Sequence, residues 1–550
     1  MEKMLLWFEI AAAVLLLHTT LTVCIARFVV PEFRMLLYVF LCVPGILGFG
    51  VLTAFVRHWR FTIGVEHFPF DYVATLAAVY VAGIVFVGWK ALRRDAESFR
   101  SPAANLPLGK LAAAAAVAVV FQSTTLAIMD LAARERISRW KTEAAAMALS
   151  VAPQRPVEAE NAAPLYFRAI HNLRQDQATK LESWLGPATD PGKLNVKDPV
   201  LRAFLDRHES DIQLLREAAD RPRCYFEHEY GRPRPDIRLP ESQDMRFAAV
   251  ILSMHARVRA ADGDLATGAK DVSAMFGCSR HAAEEPFFIA GIIAAYMHYL
   301  ATQTLADVLS TKKLTEEQLS AFAVPSDLTF TRLARRSLLF EEAMTMGSWV
   351  EMLADPLPGE VNEVFASNAA RASRADGGFS EVLERPYPLA PQLRPLLPLY
   401  RVFLLPHEGL LLRNGFGNLR AASIHLSEGV GGYQHFREAV AKFDDEMAAR
   451  RTGLLPPLVW QTAITDDLVE LLVADTYTDL ARLVLAAARF RAKNGEYPVR
   501  LDALVPAYIP AIPLDPLTDK PLGLRNSASN WTVFIKGTNA TGMPRELTLH

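Results

Sequence analysis

Cysteine is scarce, four in 550 residues, and that scarcity excludes a disulfide framework. Net charge is scarce as well. The 58 basic and 60 acidic residues leave a formal −2, whereas a general nucleic-acid binder carries a basic excess on one face, so no nucleic-acid partner is expected. Familiar catalytic spellings are also missing. His208-Glu209, His228-Glu229 and His407-Glu408 each lack the second histidine, one turn on, that a zinc-peptidase helix needs. The glycines at 186 and 192 stand six apart instead of five and are interleaved with Pro187 and Pro191, which rules out a phosphate loop. Gly415 and Gly417 form a G-x-G without a βαβ setting, and no G-x-S-x-G elbow occurs.

What is abundant is apolar length. Four stretches, 4–30, 35–56, 72–92 and 110–131, each reach the roughly twenty residues that cross about 30 Å of hydrocarbon. They predict a four-helix transmembrane domain over 1–132, with the lipid bilayer as first partner and the opening helix kept as an anchor. Close approach of the helices is favoured by Ala74, Ala78 and Ala82, spaced by four, and by Gly45 and Gly48. Cys24 and Cys42 fall inside these stretches and read as packing. Loop charge nearly cancels across the bilayer; the cluster Lys90, Arg93, Arg94 and Arg100 tips the third loop toward the cytoplasm, with both chain ends outside. Glu9 and His18 are the ionisable groups within the first stretch, too few for an ion or proton path, so a transporter ranks as a second alternative.

After the membrane the chain reads as helical. Ala133, Ile137, Trp140, Ala144 and Met147 alternate steps of four and three, a stalk that Pro153 and Pro156 end, giving a stalk and linker over 133–157. A helical-hairpin domain follows over 158–355. Its clearest unit has Met245, Ala248, Ala249, Leu252, His255 and Ala256 on one stripe, Gly263 to close the helix and Asp264 to cap the next, which runs to about 281. Further helices start near 284 and 327, and Thr315 to Gln318 spells a capping box. A Pro- and Gly-rich connection with helices occupies 356–455, including a charged helix over 438–450. The last part, 456–550, opens with a long helix over about 459–493.

Within the soluble part Cys224 with His228, and Cys278 with His281, are the candidate metal ligands, two soft pairs that four-coordinate zinc accepts; no cofactor follows from them without convergence. If the compartment is oxidising, Cys224 and Cys278 can instead pair with each other. Asp444-Asp445 and Asp466-Asp467 read as carboxylates at helix starts, which favour the helix dipole.

The tail carries Asn494-Gly495-Glu496-Tyr497-Pro498, Leu501, Leu504-Val505, Pro513-Leu514-Asp515-Pro516, Pro521-Leu522 and Trp531-Thr532-Val533-Phe534. It resembles the globular region of type II secretion pseudopilins of the G-type class, over roughly a tenth of the chain. The resemblance implies a long helix entering a Gly-Tyr-Pro turn, a short helix, an Asp-Pro turn and a small closing sheet. Lys536-Gly537-Thr538-Asn539 replace the acidic end that binds calcium in that family, so calcium and a pilus role are not expected. The order of anchor, helical middle and such a tail is similar to bacterial envelope proteins and implies an inner-membrane location with the soluble part outside the cytoplasm. The expected fold class is mainly α: a transmembrane bundle, an all-helical soluble domain and a small α+β cap. The expected role is an interaction or scaffold module with a protein or peptide partner, the alternative being a membrane-bound hydrolase with a metal or carboxylate site.

Overall fold

The computed structural model describes residues 131–132, 134–176, 184, 186, 193–233, 239–311, 314–325, 329–354, 405–425, 432–451, 462–515, 518–527, 530–536 and 546–550. The chain divides into two compact units, and the described residues lie almost wholly in the second, Asp130–Asp444 with Val459–His550. The expected membrane bundle, with Glu9, His18, Cys24 and Cys42, falls outside the described residues, as does 355–404 of the expected connection.

Residues 134–151 form helix α1, the expected stalk. Ile137, Ala144 and Ala148 are buried while Trp140 and Met147 are half-covered, so the inward stripe continues one step beyond the sequence pattern. Three helices follow: α2 (Ala163–Gln175), α3 (Pro199–Arg207) and α4 (Glu209–Asp220). An extended segment after α4 runs beside the entry to α2, and Asn161 ties the two. Its Oδ1 accepts from Tyr225 N (2.9 Å) and Ala163 N (3.2 Å), and its Nδ2 donates to the Tyr225 carbonyl (3.3 Å).

The hairpin read from the sequence is present as α5 (Pro240–Asp262) and α6 (Leu265–Ala282). Gly263 takes φ 91°, the left-handed value that only glycine adopts without strain, and Asp264 accepts from Thr267 N at 3.1 Å. Such a cap contributes about 1 kcal/mol. Next come α7 (Phe288–Ser310), the short α8 (Glu316–Ser320) with its Thr315/Gln318 capping box, α9 (Phe330–Ala354), α10 (Leu405–His425), α11 (Gly432–Arg451) and α12 (Thr462–Asn494).

Helix α7 is the axis of the unit, packing against α5, α6, α9 and α12. Among the described residues it is the one helix long and apolar enough to cross a membrane, yet 83% of its apolar window is buried by protein. Protein neighbours therefore do for α7 what lipid does for a spanning helix. Helix crossings demand small residues: a Cβ on Gly277 of α6 would stand 2.7 Å from the Ala219 carbonyl oxygen of α4.

One expectation changes here. The charged helix starts at Gly432, ahead of the expected 438, so Asp444-Asp445 sit deep in α11 and not at a start. Gly415 and Gly417 lie inside α10, where Gly415 leaves room for the Phe443 ring, 2.7 Å from the place a Cβ would take.

At the tail α12 ends on Gly495 at φ 89°, and a 3-10 turn spans Leu501–Leu504. Strands β1 (Leu514–Asp515) and β2 (Lys520–Pro521) pair antiparallel; β3 (Gly523–Asn526), β4 (Trp531–Phe534) and β5 (Glu546–Leu549) form an antiparallel sheet in that order. Trp531 is fully buried, donates from Nε1 to the Pro498 carbonyl at 3.0 Å and stacks on Tyr497. Asp515 is a latch. Its Oδ2 accepts from Lys536 N at 2.9 Å and Thr518 Oγ1 at 2.8 Å. The mainly helical architecture with a small sheet-bearing cap is thus the observed one.

Candidate functional site

The four candidate metal ligands separate into two groups. Cys224 and Cys278 are buried free thiols, and the Cys278 thiol bonds the phenol of Tyr166. The Tyr166 hydroxyl stands 3.0 Å from His281 Nδ1, while His281 Nε2 stands 2.9 Å from the Arg221 carbonyl. A carbonyl only accepts, so Nε2 carries the proton and Nδ1 receives the Tyr166 hydroxyl. Burial drives Cys278 up to about 12, raises Cys224 strongly and lowers His281 to about 4. Neutral thiols and a neutral imidazole result, a packed polar core.

His228 does not join them. Its Nε2 lies 3.0 Å from Glu241 Oε1, and its ring meets Tyr230 and Phe287 edge-on. No group of three or more histidine, cysteine, aspartate or glutamate side chains among the described residues is arranged to hold a metal ion. The zinc reading of Cys224, His228, Cys278 and His281 therefore lacks its geometry.

Around His228 lies a denser constellation that the sequence reading did not single out. The Tyr230 hydroxyl donates to Glu285 Oε2 at 2.7 Å, and Glu285, 1% exposed, has no partner for Oε1 among the described residues. Glu284 Oε2 accepts from Cys224 N at 3.3 Å, and Glu341 Oε1 accepts from Phe288 N at 3.4 Å. Burial pushes Glu284, Glu285 and Glu341 each up to about 7. Burial works to lower His228, but the bond to Glu241 and the charge of Glu285 prevail and raise it. The Arg336 guanidinium serves the same turn, donating to the carbonyls of Ala283 and Glu285, while its Nε has no partner among the described residues.

A second buried network joins α4, α5 and α6. Arg216 Nε donates to Asp271 Oδ1 at 2.7 Å, and His255 Nδ1 lies 2.7 Å from Asp271 Oδ2. Glu209 closes the ring, accepting from Arg216 at 3.1 Å and from Arg259 at 2.9 Å, with His255 Nε2 3.0 Å away. Both Asp271 and His255 are fully buried. Their chemistry is consumed internally, so this ring holds three helices in register. His255 was legible as a polar residue on an apolar stripe; Arg216 and Asp271 carried no such mark.

His298 on α7 is a core histidine of the same kind. Its Nε2 lies 2.9 Å from Thr478 Oγ1, Phe276 and Phe330 flank its ring, and burial lowers it to about 3.

On the surface, an open depression of about 580 Å³ runs along α2 to α5. Phe167, 47% exposed, lies at its margin edge-on to Phe226, with Ile170 below and Arg168, His171 and Arg174 beside it. Arg174 is spoken for, paired with Asp244 at 2.6 Å and lying over the Phe247 ring. Comparison with protein-family models, curated proteins and solved structures finds no match to this chain.

Proposed function

We propose that the chain is a membrane-anchored envelope protein whose helical unit is an interaction or scaffold module. Its anchor is a four-helix bundle over 1–132 in a bacterial inner membrane, its soluble part lies outside the cytoplasm, and its tail is a pseudopilin-like cap. The observation that supports the reading is the groove on α2, where an exposed aromatic ring and the cation of Arg168 meet beside an apolar floor. A ring offered to solvent between apolar and charged neighbours suits a partner segment that brings an apolar side chain and a carboxylate. The buried histidines and carboxylates, by contrast, bond to one another inside the fold, which speaks for a scaffold over a hydrolase.

A photo-crosslinking amino acid placed at Phe167 in membranes of the producing cell tests the reading, with the exposed Val200 on α3 as control. A discrete adduct from position 167 and none from 200 supports it; equal labelling at both, or none, removes it. A topology reporter inserted after Trp140 tests the envelope assignment, and a cytoplasmic signal overturns that part.

A further inference from the structure

The stalk ends on the constellation around Glu285. Ala148 of α1 is fully buried against Tyr230, Phe287, Ala290, Phe340 and Ala343, with Met147, Val151 and Leu239 packed around them. These apolar residues are neighbours of acids. Tyr230 donates to Glu285 at 2.7 Å, and Tyr230 and Phe287 both meet the ring of His228, which bonds Glu241. A hydrophobic seat for the stalk therefore touches the buried Glu285 through Tyr230.

Cations are shared beneath that seat. Glu285 acts with His228 of the extended segment, which also bonds Glu241, and with Arg336 of α9, which also acts on Glu284 beside Arg223 and Arg280. Burial with only shared cations favours the neutral form of Glu285. Ionised, Glu285 requires a donor or water at Oε1, and a seated stalk keeps water from its Tyr230 partner. Moving the stalk away admits it.

We propose that this joint is a proton-operated hinge: with the Glu285 carboxyl protonated the apolar end of α1 seats on Tyr230, Phe287 and Phe340, and loss of that proton to solvent releases it. The inference rests on reading α1 as the stalk between membrane and helical unit. Burial holds Glu285 near 7, so the switch acts close to neutral pH. The fold then offers its surfaces in one of two poses according to the acidity of its compartment.

The test uses the full chain in lipid nanodiscs, with Cys24 and Cys42 replaced by alanine and spin labels at Lys141→Cys on α1 and Glu217→Cys on α4, both exposed. One carboxyl titrating near 7 when docked and near its ordinary value when free shifts the docking ratio about thirtyfold between about pH 5.5 and about pH 8.5. A single label-to-label distance in acid giving way to a longer, broader one in base is the expected result, and E285Q is expected to stay docked at both. A distribution identical at the two pH values overturns the hinge, as does an undiminished shift in E285Q. The wild-type titration stands even if the variant fails to fold, and it is independent of crosslinking at Phe167.

Discussion

Replacing Asp271 by asparagine keeps the shape of the buried ring and removes its central charge. Asp271 accepts from Arg216 Nε and faces His255 Nδ1, each at 2.7 Å, in a place with no solvent exposure. The new amide offers one oxygen for two donors, and its NH2 meets either Arg216 or His255 as donor against donor. Arg216 then retains only Glu209, whose side chain is 43% exposed, as its charged partner. Breaking a buried pair in this way costs about 3–5 kcal/mol, and the surviving Glu209 contact places the loss near the lower figure. Amide exchange in α4, α5 and α6 at fixed pH should then speed up by roughly a hundredfold or more, at about 1.4 kcal/mol per decade. Exchange by mass spectrometry on the full chain in detergent reads this directly. Arg216→Met combined with Asp271→Leu should recover part of the loss, because the charges leave together while His255 Nδ1 still loses its acceptor. Exchange within threefold of wild type for D271N, or a double variant worse than the single one, refutes the argument.

Gly277→Ala should lower the melting temperature although alanine is the better helix former by about 1 kcal/mol, because its Cβ meets the Ala219 carbonyl oxygen at 2.7 Å; a rise in melting temperature refutes the crossing. Asn161→Ala leaves Tyr225 N without its acceptor and should cost about 1–3 kcal/mol, seen as faster proteolysis of the segment before Tyr230, with Asn161→Asp milder because it keeps Oδ1. His281 and His298 titrate near 4 and 3 when folded, below the ordinary histidine value of 6.5, so their stabilisation is complete above 6.5 and is lost as pH falls toward those values. Glu284, Glu285 and Glu341 sit near 7 against an ordinary 4.5, so they stabilise most at low pH and lose that as pH rises toward 7; melting scans from acid to base should peak on the acid side of neutrality, and a steady rise from about pH 5 to about pH 8 contradicts the carboxyl set.

Legibility followed the range of the forces involved. Gly263, Asp264, Thr315 and Gln318 act within four residues, and the helix ends they mark stand where the sequence puts them. Gly495 and the Trp531 run were equally local. Long-range polar pairing was not legible: Arg216 meets a carboxylate 55 positions away, and Tyr230 meets one equally distant. Cysteine and histidine spacing suggested a metal centre for the same reason, since sequence shows which ligands exist but not which way each one turns. Gly415 and Gly432 both lie in helices, where glycine serves closeness to a neighbour or a first residue.

Helix α7 leaves a biosynthetic debt. Its cover includes α12, which begins at Thr462, about 150 residues after α7 ends at Ser310. At roughly 5–20 residues per second, the face that α12 covers on a segment greasy enough to pass for a membrane span stays open for on the order of 10–30 seconds during synthesis. Folding of the unit must therefore outlast that interval without loss of α7 to lipid or to aggregation, and the thirty-three residues of α12 close that face.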